Sequence, residues 1–117
     1  MSKKPLADRA AAARSRLAQL RHALGRFDLL CSGNLSQRMM KCGKASCRCA
    51  TDPSARHGPY YEWARMRAGK PTHRYVSARQ AEILREAIDN YRQVKKLLRS
   101  WEEDSERIID ADYPPQS

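Results

Sequence analysis

A chain of 117 residues with a hydrophobic fraction of 41% and a single Phe makes one domain and excludes a thick apolar core. A thin helical core reinforced by a metal ion fits this composition better, because small cores seldom stabilise a fold unaided. The formal net charge of +10 at pH 7 favours a polyanionic partner, most often nucleic acid, over a surface kept basic for solubility.

The positive charge is concentrated in the first two thirds of the chain. Residues 1–50 carry eleven Lys or Arg against two carboxylates, and residues 51–77 carry five against two. Residues 78–117 reverse the balance, with seven against nine. No apolar run approaches the ~18 residues of a membrane span, and arginines interrupt the Ala-rich start before a signal-peptide core forms. We therefore expect a cytoplasmic, nucleoid-associated protein with no membrane partner.

The first segment has the spacing of an amphipathic helix. Apolar residues recur at alternating intervals of four and three, at Leu6, Ala10, Ala13, Leu17, Leu20, Leu24 and Phe27. This heptad seam predicts a helix that begins at Pro5 and continues to Cys31, with residues 32–34 stopping it. We assign residues 1–32 to an N-terminal heptad helix.

The next segment, residues 33–77, is predicted to be a zinc loop and β-hairpin head. A short strand is expected at 35–41, and strands at 60–67 and 72–76 flank a turn at 68–71. Strand alternation puts Tyr61, Trp63, Arg65 and Arg67 on one face and Tyr60, Glu62, Ala64 and Met66 on the other. Trp63 and Tyr61 are interpreted as core against the following helix in preference to base-stacking side chains.

The strongest chemical signal is the run CGKASCRC at residues 42–49, followed by HGPYY at 57–61. In a reducing compartment, clustered cysteines are more often metal ligands than disulfides. Tetrahedral Zn²⁺ takes thiolate and imidazole ligands, so the run predicts a zinc site with three cysteine ligands, Cys42, Cys47 and Cys49. The competing interpretation is a set of reduced, packed cysteines.

A closed structural site needs a fourth ligand. His57 is favoured, because it lies close in sequence and just before a stiff Gly-Pro pair. Cys31 is the main alternative, although it is in phase with the first helical seam, where a thiol packs as a small hydrophobe. His73 is a third candidate on a more distant strand.

Catalysis is not expected at this cluster. Asp52 and Glu62 are the carboxylates near the loop, and the sequence contains neither an HExxH nor an HxE deaminase motif. A thiol redox site ranks third, on the argument that neighbouring cations lower thiol pKa values. We therefore predict a structural zinc ion and no enzyme activity.

The last segment repeats the heptad spacing. Its seam runs through Leu84, Ala87, Tyr91, Val94, Leu98, Trp101, Ser105 and Ile108. Ser77 and Gln80 are spaced as a capping box at its start. We assign residues 78–112 to a C-terminal heptad helix and 113–117 to a disordered tail.

Two helices with one apolar seam each are expected to pack on each other as an antiparallel pair. That orientation puts an acidic cluster of the second helix beside the basic start of the first: Glu102, Glu103, Asp104 and Glu106. The predicted fold is thus α+β, with two long heptad-patterned helices flanking a small three-stranded antiparallel sheet with a zinc-binding loop. Apolar positions left outside the seam, Ile83, Ile88 and Leu97, would serve a homo-oligomer.

Several spaced elements together resemble an uncharacterised family of small bacterial and archaeal proteins. They are Asn34-Leu35, the CGKxxCxC and HGPYY motifs, Gly69-Lys70, residues 74–76 and Tyr91-Arg92, so the resemblance covers roughly residues 33–100 and leaves the first helix outside. Members are often encoded beside transposases or site-specific recombinases. The resemblance implies an accessory protein in DNA transactions whose Cys42, Cys47, Cys49 and His57 match the family motif. In layout alone, the sheet and following helix also resemble the arm-type DNA-binding domains of tyrosine recombinases.

The leading functional hypothesis is a zinc-stabilised protein that binds double-stranded DNA and assists a recombinase or transposase. The expected DNA-binding residues lie on the loop and hairpin: Lys41, Lys44, Arg48, Arg65, Arg67, Lys70 and Arg74. The alternative is a coiled-coil adaptor that docks on such an enzyme, or on a second copy, without touching DNA.

Overall fold

The computed structural model describes residues 5–115. They form helix α1 (Leu6–Leu24), strands β1 (Asn34–Met40), β2 (His57–Arg67) and β3 (Lys70–Val76), and helix α2 (Ala78–Asp112). The predicted α+β fold with two helices and a three-stranded antiparallel sheet is confirmed. Residues 1–4 of the predicted first helix, and 116–117 of the predicted tail, lie outside the described residues. None of the described helices is long and apolar enough to cross a membrane.

The chain forms two compact units, and α2 contributes to both. One unit ends at Asp28 and resumes at Tyr91, and the other spans Leu29–Asn90. The first therefore contains α1 and the C-terminal part of α2. The second contains the sheet, the cysteine-rich loop and the N-terminal part of α2.

The sheet has the order β1-β2-β3 with both neighbours antiparallel. The β2–β3 turn is shorter than predicted, because Arg67 already pairs with Lys70. Its two central residues, Ala68 and Gly69, have φ of 52° and 77°. Positive φ at both positions is what a two-residue type I′ hairpin turn requires, since its twist matches that of the strands.

The N-terminal part of α2 covers one face of the sheet. Trp63, 4% exposed, packs with Leu84 and Ile88, and the indole Nε1 donates to the carbonyl of Ser32 at 2.9 Å. Trp63 is therefore a core residue, as predicted. Smaller contributions to this cluster come from Cys31, Leu35 and Val76.

The start of α2 is capped as the sequence predicts. The Gln80 N–H donates to the Ser77 hydroxyl at 3.1 Å, and the Ser77 N–H donates to the Gln80 side-chain oxygen at 2.9 Å. This reciprocal pair satisfies two backbone donors that the first helical turn leaves free. The predicted capping box is confirmed.

Helix α1 ends at Leu24, so the predicted continuation to Cys31 is wrong. Gly25 follows at the C-cap, and glycine in a helix interior costs about 1 kcal/mol relative to alanine. Past this point the chain leaves the helix, and the Cys31 N–H donates to the carbonyl of Ala87 at 3.1 Å. The prediction followed the apolar spacing alone and did not take Gly25 into account as the end of the helix.

The unit with α1 has its own small core. Ala10, Ala13, Leu17 and Leu20 are buried together with Ile108 of α2, and three partly buried side chains pack against them, Leu97, Trp101 and Ala111. Arg14 pairs with Asp112, and Arg16 with Asp104. The C-terminal part of α2 therefore supplies the apolar and charged partners of α1.

The buried positions of α2 do not follow the predicted seam throughout. Leu98 is 46% exposed, whereas its neighbour Leu97 packs against the core and Asp104 is 1% exposed. Ile88, predicted to be left outside, is 5% exposed. An α-helix drifts by about 20° per heptad from a strict seven-residue repeat, so over a helix of this length the inward face moves to neighbouring positions.

Candidate metal centre

The cysteine-rich loop joins β1 to β2, and the pairing of these strands positions it. Met40, at the end of β1, pairs with His57, the first residue of β2, after a bulge between Arg38 and Met40. Gly58 has φ of 138°, and a Cβ there would lie 2.8 Å from the Arg38 carbonyl oxygen. Only glycine allows this approach without displacement, so the Gly58 backbone holds His57 beside the strand that leads into Cys42.

Two short 3₁₀ turns, Arg48–Ala50 and Pro53–Ala55, shape the rest of the loop. Asp52 caps the second turn, accepting from the Ser54 hydroxyl at 2.7 Å and the Ser54 N–H at 3.0 Å. Arg48 donates to the same carboxylate at 3.1 Å. The Ser54 hydrogen bonds, with Arg48, hold the pKa of Asp52 below its usual range. This carboxylate therefore serves the loop conformation, and it is not in the cysteine cluster.

The four predicted ligands converge at the base of this loop. The ligand atoms of Cys42, Cys47, Cys49 and His57 all lie within 4.8 Å of one another. The Cys47 Sγ is 3.4 Å from the His57 Nε2, and the Cys49 Sγ is 3.5 Å from the Cys42 Sγ. With Zn–S and Zn–N bonds of about 2.3 and 2.0 Å at tetrahedral angles, these edges would be about 3.5–3.8 Å. The two measured edges are therefore close to the lengths that a tetrahedral metal ion gives, and the other ligand pairs lie within 4.8 Å.

The ligands differ in burial and in their affinity for protons. Cys49 is 1% exposed, while Cys42 and His57 are exposed. The Cys49 N–H donates to the Cys47 sulfur and, with the neighbouring thiols, lowers the pKa of Cys47. A hydrogen bond from the Cys42 N–H lowers the pKa of Cys49. Burial and the surrounding thiols outweigh that effect, so the pKa of Cys49 is raised overall. Thiolates this close repel one another, and a divalent cation removes that repulsion.

The two other candidates for the fourth ligand lie elsewhere. Cys31 packs against the Trp63 cluster, which agrees with its interpretation as a small hydrophobe. The His73 Nδ1 is 3.2 Å from the Glu62 Oε1 on the sheet. Of the three candidates, His57 is the one that joins the cysteines.

The predicted DNA-binding side chains fall into two groups. Lys41, Lys44 and Arg48 are exposed on the loop beside the cysteines, and Arg48 pairs with Asp52. The second group lies further along the hairpin: Arg65, Arg67, Lys70 and Arg74. From His57 to Arg67 is ten strand steps, or about 33 Å at 3.3 Å per residue. The hairpin turn and the metal cluster are therefore at opposite ends of β2.

Two arginines of the second group contact the buried tryptophan. The guanidinium carbon of Arg65 is 3.8 Å from the Trp63 ring centroid, and that of Arg74 is 5.2 Å away. Cation–π contacts of this kind fix the planar groups on the ring. Both arginine side chains therefore lie on the Trp63 side of the sheet, which is the side on which α2 also packs.

Sequence reasoning did not single out Arg38 and Tyr75 as candidate functional residues. Tyr75 pairs with Glu62 across β2–β3, and Arg38 pairs with Tyr60 across β1–β2. They thus share the sheet face opposite Trp63, and both are exposed. Strand alternation predicted which β2 residues lie on this face, but the register that brings Arg38 and Tyr75 beside them is not readable from one strand.

Comparison with known proteins finds one family. A profile described as a domain of unknown function, DUF6788, matches residues 6–86, well over half of the chain. The expectation that the first helix lies outside the family's region is wrong, because the match begins at Leu6. The match also ends before Tyr91. No curated protein and no solved structure matches the chain.

Proposed function

The chain belongs to the DUF6788 family, and we propose that it is a zinc-stabilised, DNA-binding accessory protein of a mobile element. In this proposal it acts at the nucleoid, in the cytoplasm, and assists or regulates a transposase or site-specific recombinase. The observation that carries the proposal is a compact Cys₃His cluster beside three exposed cationic side chains of the loop, Lys41, Lys44 and Arg48.

Zinc is the proposed metal because the donor set is three thiolates and one imidazole. Hard cations such as Mg²⁺ and Ca²⁺ take oxygen ligands, whereas soft thiolates favour zinc. Four protein ligands around one ion also characterise a structural site, since a catalytic zinc keeps one position open. The ion would therefore fix the loop between Met40 and His57 and have no chemistry of its own.

DNA is the proposed partner because the loop presents unbalanced positive charge. Lys41 and Lys44 are exposed beside the cluster, and the whole chain carries a formal net charge of +10. Phosphate contacts by lysine and arginine supply most of the affinity of such a protein for duplex DNA. Arg67 and Lys70, at the far end of the hairpin, would add a second point of contact along the duplex.

Pairing of α1 with the C-terminal part of α2 is part of the proposal. In the proposal the two heptad seams pack antiparallel, which is supported by the order of the contacts along them. Arg14 pairs with Asp112, Arg16 with Asp104, and the guanidinium of Arg21 is 5.9 Å from the centroid of the Trp101 ring. Residues further along α1 therefore contact residues nearer the N-terminus of α2, which is the order expected of an antiparallel pair.

Binding of duplex DNA across a salt series tests the proposal. About five phosphate contacts should give a slope near −4 to −5 in a plot of log K against log salt. Lys44→Gln should reduce the magnitude of the slope by about one, and Lys96→Gln, an exposed lysine of α2, is the matched control. Absence of binding at low salt would refute DNA binding.

The alternative function is a coiled-coil adaptor that docks on a recombinase or transposase, or on a second copy. It is favoured by the apolar side chains that α2 exposes: Ile83 (39%), Leu98 (46%) and Ile109 (54%). Light scattering of the isolated protein discriminates the two functions, because an adaptor that exposes an apolar patch is expected to self-associate. A clean monomer that binds DNA favours the accessory DNA-binding protein.

A further inference from the structure

The sheet face opposite Trp63 carries an exposed aromatic pair. We call it the open sheet face and define it by Arg38, Tyr60, Glu62, His73 and Tyr75, which the strand register places on one side. The residues of α2 that pack on the sheet contact Trp63, on the other side. Tyr60 is 44% exposed and Tyr75 is 55% exposed. Aromatic rings left this open are placed for contact with a partner.

The two tyrosines are held in a defined arrangement. Their ring centroids are 6.1 Å apart with an interplanar angle of 63°, the edge-to-face geometry that aromatic pairs favour. The Tyr75 hydroxyl is 3.5 Å from the Met40 sulfur, which ties the pair to the end of β1. An edge-to-face pair leaves ring surface uncovered, so a flat group can stack on it without displacing the tyrosines.

The charges of the open sheet face suit an anion. Glu62 is the carboxylate of this face, and it is engaged by Arg38 at 3.8 Å and by His73 at 3.2 Å. The Arg38 side chain is 56% exposed, and Lys41 follows directly after Met40. Arg38 thus balances the charge of Glu62 within the face, while its exposed guanidinium keeps N–H donors that a phosphate can reach. Lys41, exposed after the end of β1, adds positive charge at the rim.

Exposed aromatic rings on a sheet, with cations at the rim, are the combination that binds unpaired bases. Each stacked base contributes through its flat surface, and the cations contact the backbone. We infer that the open sheet face binds single-stranded DNA, with Tyr60 and Tyr75 stacking on bases and Arg38 and Lys41 contacting phosphates. The choice of DNA over RNA rests on the proposed function in DNA transactions.

This inference goes beyond the proposed function and depends on Tyr60, Tyr75 and Arg38, which the duplex proposal does not use; Lys41 is the one cation that both proposals use. Duplex binding depends on the loop and hairpin cations, and bases in a duplex are stacked on one another, so they are closed to the tyrosines. Single-strand binding through Tyr60 and Tyr75 is therefore separable from duplex binding through Lys44. A protein can lose either one and keep the other.

The test compares a labelled oligothymidylate of about 20 nucleotides with a duplex of equal length, by fluorescence anisotropy on the full chain in zinc-containing buffer. Tyr60→Leu and Tyr75→Leu should each weaken oligothymidylate binding about 5- to 150-fold. Tyr60→Phe and Tyr75→Phe keep the rings and should stay within about twofold. Tyr113→Leu, a 68% exposed tyrosine outside the sheet, is the matched control and should bind as the parent.

The outcomes separate the two proposals. Duplex binding without oligothymidylate binding overturns the single-strand inference and leaves the DNA-binding function standing. Loss of affinity in Tyr113→Leu equal to that in Tyr60→Leu, or tighter binding of oligouridylate than oligothymidylate, also overturns it. Photo-crosslinking of the parent chain to iodouracil-substituted DNA gives a readout that needs no variant. Crosslinks at Tyr60 or Tyr75 support the inference, and crosslinks confined to other residues contradict it.

Discussion

Arg16 donates hydrogen bonds of 2.8 and 3.1 Å to the carboxylate of Asp104, whose residue is only 1% exposed. Arg107, one helical turn further along α2, donates to the same carboxylate at 2.8 Å. A carboxylate taken out of water is stable only when it is paired and hydrogen-bonded. Asp104 is therefore the charged member of the small core that α1 and α2 share.

This pairing predicts a loss of stability in acid. The hydrogen bond from Arg16 lowers the pKa of Asp104, and Arg107 adds to this effect. Burial acts in the opposite direction but is outweighed. A carboxyl whose pKa is lower in the folded state stabilises fully above its unfolded value of about 3.9, and that contribution is lost as pH falls through the folded value. Asp104→Asn should reduce the free energy of unfolding at pH 7 by about 1–3 kcal/mol and flatten its dependence on pH below 4. Urea unfolding at several pH values measures this.

Glu103→Gln is the control for the acid prediction. Glu103 is the exposed neighbour of Asp104 on the same helix, and its replacement should change the unfolding free energy by less than about 0.5 kcal/mol. Equal effects of the two substitutions would show that general charge, and not the buried pair, sets the acid response.

Cys49→Ser should release the metal, whereas Cys31→Ser should retain it. Cys49 is the buried member of the Cys₃His cluster, and Cys31 packs in the separate cluster around Trp63. Elemental analysis of the purified variants gives zinc per chain, with about one equivalent expected for Cys31→Ser and under half for Cys49→Ser.

Chelation of the parent chain provides a second readout of the same site. Because a structural metal contributes its binding free energy to folding, a strong chelator should lower the melting temperature of the parent and not of Cys49→Ser. A Cys49→Ser variant that stays folded with a full equivalent of zinc would contradict the ligand assignment.

Two glycine substitutions should have opposite effects. Gly25 has φ of −69°, and a Cβ there would lie 3.6 Å from the His22 carbonyl oxygen, an ordinary van der Waals distance, so Gly25→Ala should stabilise by about 0.4–1 kcal/mol. Gly69 has φ of 77° in the hairpin turn, where a side chain is strained, so Gly69→Ala should destabilise by about 1 kcal/mol or more. Thermal unfolding of both variants measures the difference. Two changes of the same sign would contradict this account of α1 termination or of the turn.

Adjacent leucines of α2 test which face of the helix packs inward. Leu97 contacts the core of α1, and Leu98 is 46% exposed. Leu97→Ala should cost about 2 kcal/mol or more, whereas Leu98→Ala should stay within about 0.5 kcal/mol. Denaturant unfolding distinguishes them, and the reverse order would restore the strict heptad seam through Leu98.

Local signals in the chain predicted much of this architecture. The capping box at Ser77 and Gln80 and the hairpin around Gly69 depend on residues close together in sequence, and both are found. The core role of Trp63, predicted from strand alternation, is also found, although its partners Ser32, Leu84 and Ile88 are distant in sequence. Helix phase was predicted less well. In α1 the predicted repeat ran on to Cys31, although the helix ends before Gly25. In α2 the predicted repeat passed through Leu98, although the pitch of the helix had by then turned that position outward.

The sequence by itself indicated a candidate metal site, because three cysteines lie within residues 42–49 and a histidine follows at position 57, a donor set that soft metal ions such as zinc prefer. Only the tertiary structure decided which histidine joins them, since the pairing of Met40 with His57 brings that imidazole to the cysteines while Glu62 engages His73. Only the tertiary structure likewise decided that Asp104 is buried and that Tyr60 and Tyr75 form an exposed pair. Their burial or exposure depends on partners 15 to 88 residues away, and packing over such separations is set by strand register and helix phase, which no local pattern records.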